Sequence, residues 1–309
     1  MSSAEKRQIV DAHLHLIDHN ANYYEFLEQV DETFQALIGD YSALPRRYLL
    51  DDYLRDAGGL EVAGLVWHEM LSSDPVREVR WAQAMAESVR VPMSIVGLAD
   101  FLSPELVARL EAYTQCPNVS AVREHLCWDE GNPLRRFAKR SDLLTDPQWR
   151  KGLATLKRFG FRCSLEVFAH QLPDLLAVVQ LNPEIGFTIA VMGWPVQVDA
   201  AGFTSWKRDL AALSACENTR ITISAIECIF GMQWKMEQVS PWIHTVFELF
   251  RPDRTMFGSH RPISGLAASF ERLYAAYEAM AAQLSKSEQD AVFRGNAAEW
   301  FRIPAPAAF

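Results

Sequence analysis

From near its start to near its end the chain alternates short apolar runs with stretches of helical spacing, and few folds accept that order. The runs fall at 9–13, 62–67, 93–98, 119–122, 163–167, 187–191, 221–226 and 255–258. Several are apolar on both faces, as parallel strands covered by helices are. The helices between them announce their starts. Asp74-Pro75, Ser103-Pro104, Asp146-Pro147 and Ser240-Pro241 each set a capping side chain before a proline at the first helical position. Behind Ser103 the residues Leu106, Val107, Leu110 and Tyr113 follow helical spacing, and behind Asp146 come Trp149, Leu153 and Leu156. Eight such strands predict an α/β chain folded as a (β/α)8 TIM barrel.

Loop lengths give that barrel a working face. Connections from helix into strand are tight, as at Gly58-Gly59, Phe159-Gly160 and Arg251-Pro252-Asp253-Arg254. Connections leaving the first, fourth, sixth and seventh runs are long, and these strand-exit loops lie where barrel active sites are built. The first of them, 16–45, carries Tyr23, Tyr24, Phe26, Phe34 and Tyr41. It reads as a lid or pocket wall, or equally as a buried helical insertion. No repeat, low-complexity tract or linker interrupts the 309 residues, so one domain over 1–309 is expected.

Composition sets the partners. A net charge of −9 argues against a nucleic-acid binder, and an anionic substrate would need local Arg or Lys to override that field. No apolar stretch is long enough to span a bilayer, and 1–6 lacks a signal-peptide profile, so the cytoplasm is the expected compartment. The five cysteines, Cys116, Cys127, Cys163, Cys216 and Cys228, form no CxxC pair and read as reduced, mostly buried residues. A homo-oligomer is compatible with all of this.

Candidate chemistry collects at the ends of the runs. In Asp11-Ala12-His13-Leu14-His15 the two imidazoles stand two apart on a strand and share a face. Such a pair suits a divalent metal, zinc above all, or direct acid–base work. A third histidine ends the eighth run, in Gly258-Ser259-His260. Arg123, at the end of the fourth run, is a candidate fork for a substrate carboxylate, or else pairs with Glu124 or Glu166 in the barrel mouth. Glu166, among apolar neighbours, must be paired, protonated or bound to something. His170 follows as ligand, proton donor or hydrogen bonder. Glu69 and Glu227 end two further runs and read slightly more as loop residues than as partners of the site. Trp128, Trp194 and Trp234 occupy three long exit loops and would form an apolar pocket if they converge. His19, His125 and His244 are set aside as packing or surface residues.

Val10-Asp11-Ala12-His13-Leu14-His15, Ala121-Val122-Arg123, Phe168-Ala169-His170-Gln171-Leu172-Pro173, the stretch 252–259 and Gly295-Asn296-Ala297-Ala298 together resemble the amidohydrolase-related family of barrel hydrolases. The likeness is to the branch with 2-pyrone-4,6-dicarboxylate lactonase and L-fuconolactonase, and it runs from Ile9 to about Arg302. Two positions depart from the family pattern: Val191 stands where a strand-six histidine is usual, and His260 aligns with the strand-eight aspartate that serves as general base or metal ligand. A full metal-site set is therefore absent. Lactonases of this branch are not all strictly metal-dependent, so the resemblance implies hydrolysis with one divalent metal or with none.

These readings lead to an enzyme that opens a small, carboxylate-bearing lactone or related cyclic ester. Arg123 would hold the anionic group, with Glu166, His170, Trp128 and Trp194 around the substrate. His13 and His15, directly or through a metal, would polarise the carbonyl, and His260 would take the proton from water. A decarboxylase or other lyase in the same pocket, and a ligand-binding homologue without turnover, are the alternatives.

Overall fold

The computed structural model describes residues 7–303; the segment read above as lacking a leader, 1–6, lies outside the described residues. Eight parallel strands neighbour one another in chain order: β1 Gln8–Leu14, β2 Glu61–His68, β3 Met93–Leu98, β4 Val119–His125, β5 Arg162–Glu166, β6 Phe187–Ile189, β7 Thr219–Ile223 and β8 Thr255–Phe257. The (β/α)8 expectation is met, helices covering the sheet between strands. No helix among the described residues is long and apolar enough to cross a membrane.

Strand alternation sorts the side chains into two layers. Leu65, Trp67, Ile95, Val122, Leu165, Ile189, Ile223 and Phe257 point outward into the core beneath the helices. Their neighbours Val66, Val96, Ala121 and Met256 meet Val10 and Ala12 in a separate interior cluster that Ala297 of the C-terminal helix and Phe301 just beyond it complete. Near the carboxyl ends the same inward positions become polar: His68, Arg123, Glu166 and Ser224 are all buried. Period two thus carries the barrel from an apolar plug to a chemical mouth.

The seam between β8 and β1 is stitched by hydrogen bonds around the site. His260 N donates to His13 O and His15 N to Arg261 O, each at 2.6 Å. The buried Asp11 carboxylate accepts from Ser259 N and from the Tyr53 hydroxyl, each at 2.8 Å. Gly258 makes this approach possible: a Cβ there would lie 2.6 Å from His13 Cβ, inside any real contact.

Two helix starts differ from expectation. Asp74 and Asp146 cap their helices as read, accepting from Arg77 N and from Gln148 N and Trp149 N. Ser240-Pro241, however, lies inside helix Met236–Phe250, whose start is fixed a turn earlier where Gln238 accepts from Lys235 N. Ser103-Pro104 forms a turn ahead of helix Leu106–Thr114.

The long exit loop after β1 is a pocket wall. Its helices Glu25–Glu28 and Glu32–Ile38 bury Tyr24, Phe26, Phe34, Leu37, Ile38 and Tyr41 in a second apolar cluster with Met70, Val191 and Trp194. Tyr23, by contrast, is exposed.

Candidate active site

His13, His15 and His260 meet. One ring nitrogen of each lies within 4.8 Å of the other two, and all three rings are buried. The His13 ring centroid stands 5.1 Å from that of His15 and 4.8 Å from that of His260. A register irregularity between Asp11 and Leu14 turns His13 and His15 inward together, on the side of Val10 and Ala12.

Each of the three is anchored through Nδ1, and the anchors are unequal. His13 Nδ1 bonds Ser224 Oγ at 2.8 Å, the hydroxyl assigned as acceptor, and His15 Nδ1 donates to His68 O at 3.0 Å. His260 Nδ1 donates instead to the Glu227 carboxylate at 2.5 Å. Every Nε2 is thereby left with its lone pair free, and His13 Nε2 is buried without a partner. Burial, with the positive groups nearby, holds the His13 and His15 pKa well below the usual histidine value. Those two rings stay neutral, whereas a proton arriving on His260 would find an ion-pair partner.

Beside the trio lies a four-membered charge network. Arg123 Nε donates to Glu69 Oε1 at 2.5 Å, Nη1 to Glu166 Oε1 at 2.6 Å and Nη2 to Glu69 O at 2.7 Å. His125 bridges the same two carboxylates, Nδ1 to Glu166 at 2.9 Å and Nε2 to Glu69 at 3.1 Å. Burial opposes ionisation of both glutamates, but Arg123 and His125 outweigh it and hold them below the carboxylate range. Burial likewise opposes charge on His125, and Glu166 and Glu69 reverse this, raising its pKa to about 9. Two cations face two anions in a closed set.

These groups open into a narrow pocket of about 40 Å3. Its floor carries His13, His15, His260, Arg123, His125 and Glu166; its walls are Phe34, Leu37, Ile38, Met70, Leu71, Phe137, Val191, Trp194, Ala225 and Ile263, with Cys127. Five of these residues, Leu71, Val191, Trp194, Ala225 and His260, have φ between 32° and 58°. Left-handed backbone is costly for such side chains, above all for β-branched Val191, and its concentration around one cavity marks a site whose shape the surrounding fold enforces.

Several sequence readings change here. Arg123, offered as a carboxylate clamp or as a partner of Glu124 or Glu166, is paired with Glu166 and also with Glu69, which takes two of its three committed N–H groups. Glu124 points outward and accepts from Trp149 Nε1, because it sits one residue out of phase with Arg123. His170 is exposed, donates to Trp128 O at 2.8 Å and lines a separate surface groove with Asp129 and Arg208. Trp128 stacks under Arg136, and Trp234 packs against Arg272; of the three tryptophans, Trp194 alone lines the pocket. His125, set aside above, belongs to the site, and Glu69 and Glu227 are buried partners rather than loop residues. His125 stands two residues beyond Arg123, the same spacing that marks His13 and His15.

A parallel eight-stranded barrel with a histidine centre at its strand ends is a (β/α)8 enzyme scaffold. The chain belongs to the amidohydrolase family, whose model, described as Amidohydrolase, matches residues 10–303. It is 28% identical over 299 residues to the uncharacterized protein y4mH of Sinorhizobium fredii, covering 96% of this chain and 98% of that one. It is 25% identical over 226 residues to an L-fucono-1,5-lactonase of Burkholderia multivorans, covering 69% and 73% of the two. The fold matches the crystal structure of a Burkholderia multivorans amidohydrolase with bound zinc at a TM-score of 0.78, with 20% identity over 97% of this chain and all of that one.

Proposed function

We propose that this enzyme opens a small lactone or related cyclic ester by attack of water. The observation that carries the reading is the unequal anchoring of the three histidines. His260, backed by Glu227, is the ring whose protonated form has a carboxylate to answer it, and it takes the proton from water as the nucleophile adds. Glu227 is a positioning residue: it fixes the tautomer that leaves Nε2 free. After ring opening, His260 returns the proton to the departing ring oxygen, so the cycle ends with both groups as they began.

His13 and His15 have the opposite character. Two neutral imidazoles presenting lone pairs toward one space repel a carbonyl oxygen unless a cation lies between them, and the orphaned His13 Nε2 supports that cation's presence. The donor set suits zinc. When bound, zinc held by His13 and His15 supplies a Lewis acid for the substrate carbonyl. We expect about one equivalent of zinc in protein purified without chelator, and a large loss of it in His13→Ala and His15→Ala. Elemental analysis showing no metal in the wild type would remove zinc from the proposal.

The reaction itself is tested by ring opening across a lactone panel in 18O-labelled water. Hydrolysis incorporates label into the product acid, whereas decarboxylation would release carbon dioxide with no gain of water. His260→Ala should slow opening by about 10^2–10^4-fold; equal rates would take His260 out of its role.

A further inference from the structure

We infer that the ring opened in this pocket carries an apolar substituent and neither a carboxylate nor a set of hydroxyls; this rests on the hydrolytic reading above. The sequence alone suggested a carboxylate-bearing substrate because Arg123 ends the fourth strand. In the fold, that guanidinium is shared between Glu69 and Glu166, and both nitrogens of His125 are spent on the same two carboxylates. No uncommitted Lys or Arg lines the pocket among the described residues. A substrate carboxylate would meet Glu166 on the floor, with the cations beside it already matched.

The walls argue in the same direction. Phe34, Leu37 and Ile38 come from the insertion after β1, Met70 from the exit of β2, Phe137 from that of β4 and Trp194 from that of β6. Four separate exit loops thus converge on apolar side chains. Hydroxyls of a polyhydroxylated ring set against these walls would give up their water without finding donors or acceptors to replace it. An alkyl chain pays no such cost and gains from leaving water.

The test compares kcat/KM for γ-butyrolactone, γ-hexalactone and γ-octalactone with that for galactono-γ-lactone and γ-carboxy-γ-butyrolactone, using the intact enzyme. The alkyl series should rise by about fourfold per added methylene until the pocket is full. The hydroxylated and carboxylated rings should fall at least about 100-fold below γ-octalactone. Efficient opening of either polar ring, with no gain along the alkyl series, overturns the inference while leaving hydrolysis intact. If no lactone is opened, the hydrolytic reading falls, and calorimetric binding of the same compounds decides this inference separately. Tighter binding of γ-octalactone than of both polar rings sustains it, and any other order, or no binding, ends it.

Discussion

Arg123 shows how a sequence can place a side chain and leave its partner open: of the readings offered, the pairing with Glu166 is the one the fold displays, joined by Glu69. Its position at the end of β4 follows from the sequence, but its partners, Glu69 and Glu166, arrive from strands 54 and 43 residues away. Nothing in periodicity says which carboxylate will face it. Strand parity does say that Glu124 will not, and parity also brings in His125, so that part was legible. The distinction is testable through stability. Removing Arg123 leaves two buried carboxylates with one imidazolium, so Arg123→Met should cost about 3–5 kcal/mol in denaturant unfolding. A clamp held only for substrate would leave stability unchanged and raise KM. Glu227 permits a parallel distinction. Glu227→Gln keeps the shape and removes the charge that answers a protonated His260, so kcat should fall about 10–100-fold with KM little altered. Glu227→Asp, which keeps the charge, should restore part of the lost kcat, a rescue that merely loosened packing would not produce.

Among the elements, those that were readable carry their own signals: double-sided apolar runs for strands, and Asp-Pro caps for the helices starting at Pro75 and Pro147. The ends of β6 and β7 were overextended because Val191 and Ala225 look like strand continuations, yet each takes left-handed backbone as the chain turns across the mouth. Local propensity cannot show such conformations, since packing of the exit loops imposes them. The path of those loops also decided that Trp194 would reach the pocket and Trp128 and His170 would not. The β8–β1 seam is the element on which the histidine trio depends, and Gly258 is its most exacting residue. Gly258→Ala drives a methyl group into His13, and the overpacking should cost about 1–3 kcal/mol. Because the displaced residue is a proposed zinc holder, the metal content of the folded variant should drop as well. A variant with lowered stability but full zinc would show that the seam bends without disturbing the centre.

For the whole molecule, buried titratable groups set, above about pH 6.5, a pH dependence of stability independent of the proposed metal holders. Burial, with the nearby Glu69, raises Glu78 to about 8, and burial raises Glu124 to about 7, while His125 stands at about 9. All three act with the same sign. The folded state keeps protons on Glu78 and Glu124 at pH values above 4.5, where the unfolded chain has released them, and keeps one on His125 above 6.5, where a free imidazole has lost it. Below about pH 6.5 the buried neutral His13, His15 and His68, which the unfolded chain protonates, oppose this; above it the native state binds more protons than the unfolded chain, so stability declines as pH rises from about 6.5 toward 9. Glu124 ceases to contribute to the slope first, then Glu78, then His125. Urea unfolding at half-unit steps should show this fall, and Glu78→Gln combined with Glu124→Gln should flatten it below about pH 8 while leaving the part due to His125. Parallel curves for wild type and the double variant would mean that these carboxyls are ionised in the folded barrel, and the protonated interior described for them would have to be given up.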